Sequence, residues 1–413
     1  MAKFCTQCGT PLEEGAKFCT ACGAAVAQRP PQQPQSQPQE PQQQPPVGEH
    51  LQELQGYVKK GFSTFTSTIN TMAGEEGEVK IPLRDLFSQV FKKHSVEERE
   101  ALFVCGTKGT TPKESEMIGE WPKPWLYARV LLMFALVFAG LYFMLAEFGN
   151  ANAIPGAIFV GALAVPFAFL VFFWEVNVPR NINIFDVITT FFVGGVFSLI
   201  ATLIIFEILG TDGNGYIGAI FVGIAEEVGK ALVVAYYIKR RNVKYKLNGL
   251  LLGASVGAGF AVFETAGYAF RFLLNYNLDT MMDVLLKRGA LSIGGHVIWA
   301  AIAGFGLVVA KGEEELNKNH VLDPRFLKFL GVVIALHAVW DMPIKLGSKH
   351  ALVQWCMTAI GLVVVFTLIN SGLKQVATIA KRAQEAEAIQ GEGALEADEP
   401  AAVGAAVGSD EES

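Results

Sequence analysis

The chain has 413 residues, 51% of them hydrophobic and only 17% charged, with a mean hydropathy of +0.35. A soluble domain carries about a quarter charged residues, so this composition excludes an ordinary soluble fold and points to a membrane protein. The formal charge of −6 is concentrated at the C-terminus, where residues 383–413 hold nine acids and no bases; the remainder is only weakly basic, a distribution that does not suit nucleic acid.

The N-terminus "MAKFCTQCGT" has no basic segment leading into an apolar core, so no cleavable signal peptide is expected. Cys5, Cys8, Cys19 and Cys22 are spaced C-x2-C-x10-C-x2-C. Paired thiolates at that spacing close a tetrahedral Zn2+ site. The alternative, two disulfides, needs an oxidising compartment for which no export signal is seen. Residues 1–26 resemble the zinc-ribbon modules of prokaryotic membrane proteins, which implies a structural zinc. Cys105 and Cys356 have no such neighbours and read as small hydrophobes.

Residues 27–50, dominated by "QRPPQQPQSQPQEPQQQPP", have almost nothing to bury and are expected to form a disordered linker. Residues 51–122 are soluble in character. There "LRDLFSQVFKK" and "SVEEREALFV" carry helical apolar spacing, and Ser95 with Glu98 makes a capping box. Two or three short amphipathic helices are expected, on the membrane surface or folded into a small domain.

Residues 123–375 contain long apolar runs, at 126–146, 154–174, 187–208, 216–238, 248–270, 289–310, 327–344 and 351–373. Each is near the ~20 residues that span a bilayer, so the fold class is an all-α polytopic membrane protein with about eight transmembrane helices. An acidic tail, 376–413, is expected to be disordered. Basic residues cluster in "KRRNVKYK" after the fourth run and at Lys311, Lys318, Arg325 and Lys328 between the sixth and seventh. The loops "EFGNANAIPG" and "GTDGNG" have none, which places both termini in the cytoplasm. Arg271, Lys287, Arg288, Lys345 and Lys349 run against that pattern.

Four of these runs carry ionisable residues that cost about 2.5–3.5 kcal/mol each at a bilayer centre. The fourth has Glu226, Glu227 and Lys230, the fifth Glu264, the sixth His296, and the seventh His337 and Asp341. The spacing allows a Glu226–Lys230 ion pair, with Glu227 pointing about 100° away and lacking a partner on its own helix. With alternating helix direction, all these groups fall between the midplane and the outer third, so one shared site is expected. Carboxylates and imidazoles in such a setting can hold and deprotonate water, or bind a divalent metal with an open position. A proton-coupled transporter, suggested by the glycine-rich "GASVGAGF" of the fifth run, and a non-catalytic scaffold with a zinc-ribbon binding module are the alternatives.

"EEVGK", "FAVFE" and "HAVWD" match EExxK, FxxxE and HxxxD in order, and "RGALSIGGHVIWAAIAGFG" sits between the last two. From about Trp125 to Leu373 the chain resembles the PrsW-type intramembrane proteases, within the superfamily of CAAX-prenyl and bacteriocin-processing proteases. The resemblance implies a bacterial cytoplasmic-membrane peptidase that makes the first cut in a single-span regulator, such as an anti-sigma factor, near the outer face. It implies catalytic roles for Glu226, Glu227, Lys230, Glu264, His296, His337 and Asp341, with Glu264, His296 and His337 as a candidate metal set. The expected partners are a membrane-embedded protein substrate, lipid, and a cytoplasmic protein on the zinc ribbon.

Overall fold

The computed structural model describes residues 3–5, 7–13, 15–25, 47–77, 79, 81–210, 215–346 and 350–397. Most of the expected linker and the end of the acidic tail lie outside these residues. The chain divides into two compact units, Met1–Lys59 and Lys60–Ser413.

In the first unit, β1 (Lys3–Phe4) pairs antiparallel with β2 (Pro11–Leu12). The segments "CTQCG" and "CTACG" fold alike: Gly9 N–H donates to Cys5 and Gly23 N–H to Cys19. Gly9 and Gly23 have φ of 72° and 74°, the left-handed turn that a side chain would oppose. Cys5 Sγ lies 3.7 Å from Cys22 Sγ, and Cys8 Sγ 3.6 Å from Cys19 Sγ. Those spacings exclude S–S bonds. They match the ~3.8 Å edge of a sulfur tetrahedron around Zn2+ at about 2.3 Å.

Helix α1 (Val47–Met72) takes in the last four residues of the expected linker. In the second unit, α2 (Val96–Phe103) starts at the Ser95–Glu98 capping box, as expected. "LRDLFSQVFKK" is a chain of turns and not a helix, with Asp85 N–H donating to Pro82 and Lys92 N–H to Gln89. Pro82 precedes the segment, and the carbonyls of Leu86 and Val90 are taken by the side chains of Tyr127 and Arg129.

The apolar runs become α3 (Leu126–Phe148), α4 (Ile154–Glu175), α5 (Ile184–Thr189), α6 (Gly195–Leu209), α7 (Gly215–Arg241), α8 (Lys246–Asn275), α9 (Leu278–Leu291), α10 (His296–Lys311), α11 (Lys318–Val321), α12 (Pro324–Asp341) and α13 (Ala351–Ala397). A π-helical turn, Thr190–Gly194, joins α5 to α6. Among the described residues, six segments are long and apolar enough to cross a membrane. Helices α7 and α12 fall outside that set because Glu226, Glu227 and Lys230 on one, and Arg325, Lys328 and Asp341 on the other, dilute their apolar character. The C-terminal region departs from expectation: α13 continues through "KQVATIAKRAQEAEAIQ", whose alanine, lysine, glutamine and glutamate residues favour helix. The disorder expected from residue 376 is therefore not found over 376–397.

Two contacts organise the bundle. The Glu175 carboxylate at the end of α4 accepts the backbone N–H groups of Trp125, Leu126 and Tyr127 at 2.7, 2.9 and 2.8 Å, capping α3 where its amides have no helical partner. Gly249, Gly253 and Gly257 line one face of α8, where any side chain would collide with the α10 backbone at Gly304, Ala300 and His296. This four-residue spacing of small residues brings two membrane helices into backbone contact. The run "GASVGAGF" therefore packs a continuous helix and does not interrupt it, removing the feature that favoured a transporter.

Candidate active site

A cavity of about 680 Å³ opens among α7, α8, α9, α10, α12 and α13, and Glu226, Glu264, His296, His337 and Asp341 line it. All sit toward the helix ends remote from Lys239–Arg241, Lys246 and Lys311. The sequence-derived residues thus converge, although two placements differ from expectation.

His296 was expected about seven residues inside a single sixth span. That span is broken: α9 ends at Leu291, a 3-10 turn covers Ser292–Gly294, and His296 is the first residue of α10. The glycine pair Gly294–Gly295 ends the preceding turn, and the Cβ of any residue at 294 would strike Thr358.

The glutamates also exchange roles. Lys230 Nζ, fully buried, lies 2.7 Å from Glu227 Oε1 and 3.5 Å from Glu226 Oε2. Glu227 therefore has an intrahelical partner at i,i+3, contrary to expectation, because the lysine stem curls back over the intervening turn. Glu227 Oε1 is also 2.7 Å from His337 Nδ1. Glu226 faces the cavity, with its Oε2 buried and without a hydrogen-bond partner.

The two imidazoles are held from opposite sides. His296 Nε2 lies 3.0 Å from Glu264 Oε2, while its Nδ1 is 2.8 Å from Lys230 Nζ. His337 Nε2 lies 3.2 Å from Asp341 Oδ2, the i,i+4 pair read from the sequence. Glu226 Oε2 sits 3.7 Å from His296 Nδ1 and 3.7 Å from His337 Nε2, between the rings.

Four supporting residues complete the arrangement. Arg288 of α9 pairs with Glu264 and covers the Tyr268 ring at 4.3 Å. Phe260 lies 4.4 Å beneath Lys230 Nζ, a cation–π contact that suits a buried ammonium. Trp299 stacks on His337 at 4.5 Å and meets Trp340 edge-on at 5.6 Å. The tryptophans had a legible signal, since "HVIW" and "HAVW" each place Trp three residues after His. Arg288 had none: in sequence it was a loop charge.

One atom each from Glu226, His296 and His337 fall within 4.8 Å of one another, a His2Glu donor set. Together with the unpartnered Glu226 oxygen, this grouping fits a divalent cation. It differs from the expected set, Glu264, His296 and His337, in taking Glu226 in place of Glu264, whose carboxylate pairs with Arg288 and His296.

The fold and site define a polytopic α-helical membrane protein with a buried centre of glutamates, histidines and a lysine. Residues 179–369 match the PrsW family intramembrane metalloprotease, and residues 4–26 match a zinc-ribbon domain. The helical body at 179–369 is thus similar to the PrsW family. Protease PrsW of Clostridioides difficile is 28% identical over 139 residues, 33% of this chain and 56% of that protein. Protease PrsW of Halalkalibacterium halodurans is 28% identical over 201 residues, covering 48% and 87%. The chain thus spans little more than half the length of the first of these relatives. No solved structure matches the chain.

Proposed function

We propose that this protein is an intramembrane endopeptidase that hydrolyses a peptide bond of a single-span membrane regulator near the outer face of the bacterial cytoplasmic membrane. It makes the first cut in a regulated proteolytic sequence, as anti-sigma-factor substrates require. The observation that carries this reading is the Glu226 carboxylate, buried, unbonded at Oε2 and set between two imidazoles in a cavity. Basic residues at the opposite helix ends support a topology with both termini in the cytoplasm and, with it, a cavity toward the outer leaflet.

Glu226 Oε2 holds a water in the cavity and takes its proton as the hydroxyl attacks the scissile carbonyl; the same carboxyl then protonates the leaving amine. Lys230, anchored by Glu227, keeps a positive charge 3.5 Å from Glu226 and stabilises the negative charge that develops nearby. Glu264 and Asp341 fix the imidazoles through their Nε2 atoms, so that the His296 and His337 rings flank Glu226 and confine the water it holds. A divalent cation held by Glu226, His296 and His337 would supply Lewis-acid polarisation of the carbonyl and a more acidic water. The zinc ribbon supplies a docking module for a cytoplasmic protein.

The test is cleavage of tagged single-span membrane regulators by the parent, Glu226→Gln and Glu227→Gln proteins in bacterial membranes. Loss of ectodomain release in both variants is expected, and release that ignores both substitutions would overturn the proposal. Metal content of a Cys5→Ser/Cys8→Ser variant, whose ribbon zinc is removed, reports separately on the helical site.

A further inference from the structure

Residues 81–93 carry two apolar faces, one buried against the protein and one largely exposed, where Phe87 keeps a tilted ring contact with Tyr127 at 6.2 Å. Leu86 and Val90 point inward and are buried. Their carbonyls are tied to the first turn of α3: Tyr127 Oη donates to Leu86 O at 2.9 Å, and Arg129 Nε to Val90 O at 2.7 Å. Leu83, Phe87 and Phe91 point the other way at four-residue spacing and are 62%, 63% and 91% exposed. Arg84, Lys92 and Lys93 accompany them against one acid, Asp85.

The geometry points to this segment as an interfacial anchor that inserts Leu83, Phe87 and Phe91 into the anionic phospholipid leaflet around the N-terminal end of α3. Three features on the page select a bilayer as the occupant. The face is continuous with α3, whose Leu132, Met133 and Leu136 are exposed along a helix that is itself a membrane-span candidate. The level is marked by Trp125, which carries Arg129 over its ring at 4.6 Å and stacks on His94 at 3.9 Å, the kind of aromatic and basic pairing found where membrane meets water. The basic residues stand beside the apolar ones, so long side chains reach phosphates while the rings enter the acyl boundary. A segment of turns performs this as well as a helix does, because pinning at Leu86 and Val90 fixes which side chains face outward.

The test uses the full-length protein in vesicles of phosphatidylglycerol and phosphatidylcholine, with a phosphatidylglycerol analogue bearing a diazirine near the top of its acyl chain. Irradiation and peptide mass spectrometry should place adducts on residues 83–91 as well as on Leu132 and Leu136 of α3. Phe87→Ser/Phe91→Ser should lower adducts on the segment about tenfold or more while leaving those on α3 unchanged, which also certifies that the variant is folded and inserted. Adducts on α3 but none on 83–91, or equal labelling of the variant segment, would overturn the inference.

Discussion

Replacing Glu226 and Glu227 separately with glutamine should split stability from catalysis, although the residues are adjacent and both are buried. Glu227 is the close partner of two groups, at 2.7 Å from both Lys230 Nζ and His337 Nδ1. Neutralising it leaves the ammonium of Lys230, fully buried, without its nearest carboxylate. Breaking a buried pair in this way costs about 3–5 kcal/mol. Glu226 stands differently. Its Oε2 accepts no hydrogen bond, and its nearest cation is 3.5 Å away. Around the cavity four carboxylates, Glu226, Glu227, Glu264 and Asp341, face two fixed cations, Lys230 and Arg288, so removing the charge of Glu226 relieves repulsion among acids. Glu226→Gln should therefore change stability by no more than about 1 kcal/mol. Its cleavage rate should fall about 10²–10⁴-fold, the usual worth of a positioned general base. Denaturant titration of the purified proteins and cleavage of a reconstituted single-span substrate supply the two readouts. The reasoning is refuted if Glu226→Gln destabilises as much as Glu227→Gln, or if it cleaves within tenfold of the parent.

Arg288→Met should lower kcat with little change in KM, because the guanidinium holds Glu264 against His296. Adding Glu264→Gln should then cost little more, and additive losses in the double variant would remove the coupling. Gly253→Val should destabilise the bundle by about 1–3 kcal/mol or more, since any side chain there meets the Ala300 carbonyl; unchanged denaturant resistance would contradict the seam. Zinc in the ribbon should be released as pH falls. Cys8 is held down to about 6 by the Thr10 hydroxyl when no metal is bound, so its thiolate is ready for zinc at neutral pH, and strong acid is needed for protons to displace the metal from the four thiolates. Zinc retained in strong acid, measured by a chromogenic chelator, would count against thiolate ligation.

The site was legible in outline because its residues violate the hydropathy of their surroundings. Charged and imidazole groups in apolar runs are few, so their positions alone marked four helices. Their pairing was not legible. Glu226 and Glu227 differ by one helical step, and the sequence cannot say which rotamer the Lys230 stem adopts once Phe260 and His296 pack against it. His296 was misplaced for a related reason: "RGALSIGGHVIW" is apolar enough to continue a span, and only packing against Thr358 shows that Gly294 marks a break. Arg288 stayed hidden because a basic residue between two spans reads as a solvated loop charge until the helix carrying it folds back against α8. At the C-terminus, acidity suggested disorder, whereas helix propensity governs as far as Ala397.

The glycine seam between α8 and α10 also bears on how a peptide gets in. Where two backbones touch, no layer of side chains remains to slide or rotate, so the pair moves as a single jaw. Glu264 and His296 ride on that jaw, and their separation is fixed however the bundle breathes. Under the proposed function, a peptide would be admitted by loosening α9, whose grip on the fixed jaw includes the Arg288 guanidinium, because α12 is itself held against α10 where Phe329 meets Gly306. One half of the site, Glu264 with His296, is preset by the seam, and the other half, His337 with Asp341, is set by α12.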